Sequence, residues 1–166
     1  MKIAYFAGGC FWCIAALLDT IEGVHKIVSG YSGGDEINPT YEDVKAQKTG
    51  HRESIKVIYD EQITSYKTIL KMFLNNIDPF DAGGQFIDRG HSYTTAIYYT
   101  NQKELDIATD AINKIEKESG KKSAVVLEPF KSFYDAEEYH QNFHLKYPDK
   151  IKREMIESGR SKKIEL

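Results

Sequence analysis

The feature that most constrains this chain is Gly8-Gly9, which stands between an apolar run and a helical one. Ile3 to Ala7 reads as a strand, and Phe11 to Ile21 as a helix ended by Gly23. Glycine lacks a Cβ, so the pair lets the backbone turn sharply from one element into the other. That turn delivers Cys10 to the helix N-terminus. Free backbone N–H groups and the positive end of the helix dipole favour an anion there. A thiol so placed should ionise more easily, and the thiolate is its reactive form. No Ser, Thr, Asp or Asn stands there as an ordinary cap, which leaves the position open to the sulfur.

The rest of the chain interleaves strands with helices. Val24 to Gly30 reads as a strand, and Tyr31-Ser32-Gly33-Gly34 with Asn38-Pro39 as a loop. Arg52 to Tyr59 alternates, with Ile55, Val57 and Tyr59 on one face. Ser65 to Asn75 is helical, and a Gly-rich stretch runs from Asp78-Pro79 to Gly90. Thr94 to Tyr99 is rich in β-formers, and Gln102 to Ser119 is the clearest helix. Val125 to Leu127 reads as a strand, and Ala136 to Lys146 as a helix stopped near Pro148. Such an order predicts an α/β or α+β two-layer sandwich with flanking helices and long loops. The length of 166 residues predicts a single domain over residues 1–166. Asp149 to Leu166 is charge-rich and reads as a solvated helix with a frayed tail.

Composition narrows the class. A hydrophobic fraction of 41% supports a real core, and a mean hydropathy of -0.49 accompanies no run long enough to span a membrane. The N-terminal apolar run is too short for a secretory leader, so a cytoplasmic protein is expected. A net charge of -3 argues against a general nucleic-acid binder. The two cysteines form one C-x-x-C, Cys10 and Cys13, which in a reducing compartment suggests redox chemistry or a metal.

Three bland or rival readings stand beside a reactive Cys10. It could be a buried inert thiol. Cys10 and Cys13 could bind zinc with His140 and His144, but the two halves lie far apart in sequence, and the histidines read as surface residues of an amphipathic helix. A thioredoxin-like dithiol–disulfide oxidoreductase also uses C-x-x-C at a helix start. Here Trp12 lies inside the motif, and no proline precedes a later strand as that fold requires.

Six ordered blocks resemble another family, the A-type peptide-methionine sulfoxide reductases. They are Gly9-Cys10-Phe11-Trp12, Gly30 to Gly34, Asn38 to Val44, Thr49-Gly50-His51-Arg52-Glu53, Asp88-Arg89-Gly90 with Tyr93 and Ala96-Ile97-Tyr98-Tyr99, and Phe133 to Gln141. The resemblance implies a ferredoxin-like sandwich on a mixed or antiparallel sheet. It implies reduction of the S epimer of methionine sulfoxide, free or in proteins, with no cofactor and no metal. It also implies thioredoxin or a similar dithiol as final reductant; the charge and hydropathy above predict neither nucleic acid nor membrane as partner. We expect a monomer.

The resemblance assigns roles to particular residues. Cys10 is the nucleophile and Glu53 the acid. Glu53 shares parity with Ile55, Val57 and Tyr59, so a buried face would raise its pKa and keep it protonated. Parity alone would favour an exposed glutamate; the motif reverses that reading. Tyr41 and Tyr93 would hydrogen-bond the sulfoxide oxygen, chosen by motif position from eleven tyrosines. Asp88 would support the polar groups, while Phe11 and Trp12 would wall the pocket for the methyl group. Family members commonly carry Gly where this chain has Cys13 and place resolving cysteines near the C-terminus, where this chain has none. Cys13 is therefore expected to resolve, because residues three apart share a helix face. The run His91-Ser92-Tyr93-Thr94-Thr95 also departs from the family, which usually has Gln before the tyrosine and Arg-Ser after it. His91 is a secondary candidate for the site.

Overall fold

Alternating apolar residues build the centre of a sheet. In the computed structural model, which describes residues 1–161, Lys2–Gly8 forms β1, Val24–Ser32 β2 and Arg52–Tyr59 β3. The helix Phe11–Leu18 is α1, and the short helix Tyr41–Lys45 is α2. Ser65 caps Tyr66–Asn75, α3, by accepting from the Thr68 N–H. The short strands Gly84–Gln85 and Asp88–Arg89, β4 and β5, pair as a hairpin, followed by a 3-10 turn at His91–Tyr93. Thr95–Tyr99 is β6, and Gln102–Ser119 is α4, capped by Asn101 and ended by left-handed Gly120. Val126–Pro129 and Phe133–Asp135 are β7 and β8. A 3-10 turn at Glu138–His140 leads to α5, Phe143–Lys146, and α6, Pro148–Ser158.

The main sheet has six strands in the order β7-β6-β1-β3-β2-β8. It is mixed: β6 pairs β7 in parallel, and every other pairing is antiparallel. Four of its strands belong to a β1-α1-β2-β3-α3-β6 series, interrupted by α2 between β2 and β3 and by the β4–β5 hairpin and 3-10 turn between α3 and β6. Ala4 and Phe6 of β1 join Ile55 and Val57 of β3 in one large core with Ile14, Leu18, Ile69, Phe73 and Ala108 from α1, α3 and α4. Ala7, Ala96 and Tyr98 form a smaller cluster with Tyr5 and Phe130. No described helix is long and apolar enough to cross a membrane.

Tyr31 and Ser32, expected in a loop, instead extend β2 and pair with both β3 and β8, and three longer stretches also differ from expectation. The first helix ends at Leu18, and the chain then turns through Gly23 at φ 97° into β2. Residues 136–146 are not one helix. Gln141 is held extended because its amide accepts from the Ser29 N–H at 3.0 Å and donates to the Ser29 carbonyl at 2.8 Å, and Asn142 is left-handed. The charged stretch from Asp149 is not simply a solvated helix. Ile151 and Met155 of α6 pack on Cys10, Cys13 and Phe143, and Arg160 is buried. Residues 162–166 of that expected tail lie outside the described residues.

Candidate active site

The turn between β1 and α1 depends on its glycines. A Cβ at Gly8 would stand 2.8 Å from the Phe73 ring, and one at Gly9 would stand 2.7 Å from Gln85. Gly9 also adopts φ 87°, a region that side chains disfavour. Cys10 follows at the helix N-cap, where its side chain closes no capping hydrogen bond. The open position is instead shared with β3: the Phe11 N–H donates to Glu53 Oε1 at 3.2 Å. A carboxyl group thus reaches the helix terminus beside the sulfur.

Glu53 sits opposite Tyr31 of β2 and shares the core-facing side of β3 with Ile55 and Val57. It is 2% exposed. Burial first, and then the charge of Cys10, push its carboxyl well above the ordinary range; the Phe11 amide and Lys45 pull the other way. It therefore holds a proton where an exposed glutamate would have lost it. The phenols of Tyr41 and Tyr93 are both pushed up, by burial and then by Glu53, with Cys10 and Asp88 acting on both. Asp88 is raised by burial and by Glu154, against Arg160 and Lys45. Cys10, Glu53, Tyr41, Tyr93 and Asp88 thus share one electrostatic environment, assembled from α1, β3, α2, the 3-10 turn and β5.

Cys10 and Cys13 are free thiols, 8% and 1% exposed. The helix terminus was expected to depress the Cys10 thiol, and the resting pair shows the opposite. Its hydrogen bond to Cys13, and then burial, push Cys10 up. Receiving that bond lowers Cys13 despite its burial, and Arg160 adds to the lowering. Cys10 thus keeps its proton at rest, in a site already crowded with carboxyl groups. Passing that proton to Cys13 leaves the thiolate on Cys10, where the nearby Cys13 amide favours the anion.

Aromatic groups pack around the turn, with Phe11 itself only 1% exposed in the main core. Phe11 lies with its ring centroid 6.5 Å from Tyr41 and 6.3 Å from Trp12. Trp12 stacks on Phe143 at 4.0 Å and 8°. Trp12 Nε1 donates to His140 Nδ1 at 3.1 Å, and the His140 ring lies 4.3 Å from Tyr41. His140 is therefore not a surface residue: it is 1% exposed, with its Nε2 buried and without a partner among the described residues. An indole N–H beside the nucleophile needs an acceptor, which is the signal that could have found it. His144 instead pairs with Asp19 at 2.9 Å.

Supporting contacts escaped the sequence reading. Glu137 accepts from the Tyr31 hydroxyl at 2.8 Å and from the Tyr41 N–H at 2.9 Å, fixing where α2 starts. His51 joins two motif blocks, accepting from the Gly34 N–H at 3.2 Å. In the divergent run, Gln47 bonds Ser92 through both ends of its amide, and Arg52 donates to Thr94 Oγ1 at 2.8 Å. His91 is exposed and bonds the Gly50 carbonyl.

The sequence profile of the family described as "Peptide methionine sulfoxide reductase" matches residues 2–165. This chain belongs to the peptide methionine sulfoxide reductase family. A peptide methionine sulfoxide reductase from Bacillus velezensis is 45% identical over 161 residues, covering 96% of this chain and 91% of that one. One from Bacillus subtilis is 43% identical over 162 residues, covering 96% and 92%. Among solved structures, reduced Mxr1 from Saccharomyces cerevisiae superposes with a TM-score of 0.83 at 27% identity, covering 89% of this chain and 86% of that chain. Methionine sulfoxide reductase A of Corynebacterium diphtheriae gives 0.79 at 26%, covering 89% and 75%. The family membership removes the thioredoxin-like alternative, and the α/β sandwich agrees with these reductases.

Proposed function

We propose that this methionine sulfoxide reductase reduces the S epimer, free or in proteins, through Cys10 as nucleophile and Cys13 as resolving thiol. The observation that carries the reading is the meeting of a buried, proton-holding Glu53 with the Cys10 turn. The Cys10 thiolate attacks the sulfoxide sulfur while Glu53 gives its proton to the oxygen. Sulfur is reduced by two electrons, the oxygen ends on Cys10 as a sulfenic acid, and methionine leaves. Cys13 then attacks that sulfenic sulfur. An S–S bond forms, the S–O bond breaks, and water departs.

Tyr41 and Tyr93 keep their protons and donate to the sulfoxide oxygen without bringing charge. Asp88 orients these groups. Phe11 and Trp12 hold the methyl group, and His140 keeps the Trp12 ring in place. A thioredoxin or similar dithiol protein returns two electrons to the Cys10–Cys13 disulfide by exchange. Metal and organic cofactor have no part in the cycle. The enzyme works as a single catalytic domain and a monomer in the cytoplasm.

An assay with resolved sulfoxides and dithiothreitol tests the reading. Turnover of the S epimer with little of the R epimer is the expected result. Turnover of neither would overturn it.

A further inference from the structure

The catalytic cycle leaves the buried guanidinium of Arg160 without a task. The residue is 1% exposed, although it lies in the charge-rich stretch that follows α6. Its Nη1 donates to the Asn76 carbonyl at 2.7 Å, and its Nη2 to the Gly8 carbonyl at 3.1 Å. A Cβ on Gly9 would stand 3.1 Å from the same Nη2. Its Cζ lies 4.7 Å from the centroid of the Phe86 ring. These contacts fasten three segments: the turn that carries Cys10, the C-cap of α3, and the β4–β5 hairpin that carries Asp88.

Two carbonyl acceptors do not neutralise a cation, and a buried cation is retained where negative groups face it. The groups that do so here are Cys13, Cys10 and Asp88. The thiol pair needs that cation. Glu53 from β3 and Asp88 from β5 face Cys10, as do the phenols of Tyr41 and Tyr93. Glu154 from α6 and Asp88 face Cys13. Lys45 of α2 acts on Glu53 and Asp88. A thiolate formed among these carboxyl groups would be opposed on most sides. We propose that Arg160 is a positioning residue for the cysteine pair, holding the Gly8-Gly9 turn in place while its charge keeps the thiols ionisable.

The inference rests on reading Cys10 and Cys13 as the reactive pair. Arg160→Gln keeps amide donors and removes the charge; Arg160→Lys keeps the charge and loses the fork. The readout is the pH midpoint of thiol alkylation by iodoacetamide, followed by mass spectrometry on the Cys10–Cys13 peptide. Arg160→Gln should raise the midpoint by about one unit, about tenfold less thiolate at neutral pH. Arg160→Lys should stay within about 0.3 unit of wild type, since the charge remains. An unchanged midpoint in Arg160→Gln overturns the proposal, as does an equal rise in both variants, because a purely structural clamp would leave the midpoint alone or follow the fork. Should Arg160→Gln not fold, Arg160→Met, which fills the buried site and also removes the charge, is read in its place: a rise of about one unit supports the proposal, and an unchanged midpoint overturns it. Alkylation needs no sulfoxide, so a failure of the activity reading leaves this midpoint readable.

Discussion

Glu53 makes both the stability and the rate of the enzyme respond to pH. Its folded pKa lies above its unfolded value, chiefly through burial. The folded state therefore holds a proton that the unfolded chain gives up, and stability falls as pH rises from the ordinary glutamate range toward the raised value. Each unit between the two values is worth about 1.4 kcal/mol. Glu53→Gln removes this loss, so the variant should melt higher than wild type at pH 8, while at pH 4 the difference should shrink. The same change should slow methionine formation by about 100-fold or more, the usual scale of a lost general acid. Single-turnover kinetics with saturating substrate would read the rate, and an unchanged KM would place the loss in the chemical step. Loss of the alkaline limb of the pH–rate profile in Glu53→Gln is the matching signature. The burial of Glu53 was legible because the motif outweighed a strand parity that alone would have left it exposed. His140 was not, because a helical period assigned to residues 136–146 placed it on a wet face. The side chain of Gln141 breaks that period by bonding across to β2, and no local pattern announces such a bond.

At the scale of elements, the site is a set of helix and strand ends pinned by a few polar side chains. The β1–α1 turn tolerates no side chain at Gly9, where φ is 87° and Gln85 stands 2.7 Å from any Cβ. Gly9→Ala should cost about 1–3 kcal/mol, combining a strained backbone with overpacking. A thermal-shift comparison with wild type measures it directly. Glu137 holds the start of α2 and with it Tyr41. Glu137→Ala leaves the Tyr31 hydroxyl and the Tyr41 amide without their partner, at about 1–3 kcal/mol for each group kept dry. We expect KM for the sulfoxide to rise more than kcat falls, since the Tyr41 ring moves while Cys10 and Glu53 stay. The Gly-Gly turn itself was readable from sequence, since few residue pairs permit so tight a reversal. The role of Glu137 was not, since its partners lie 106 and 96 positions away in the chain.

For the molecule as a whole, strands and helices were recognisable by period, but the order β7-β6-β1-β3-β2-β8 was not. Pairing between β1 and β6 joins residues such as Tyr5 and Tyr98, and nothing local encodes that distance. The C-terminal stretch shows the same limit. Its charge content predicts exposure on average, yet Ile151, Met155 and Arg160 are buried and close the molecule over the cysteines. That closure keeps Cys13 at 1% exposure, beside Cys10 and away from solvent. The division of labour between these two thiols is the centre of the account. Its most direct test is Cys13→Ser, given one equivalent of methionine (S)-sulfoxide in the presence of dimedone. One equivalent of methionine, with the dimedone adduct on Cys10 and no sustained turnover with thioredoxin, is the predicted result. Steady-state turnover with thioredoxin at the wild-type rate, or no methionine at all, would contradict it.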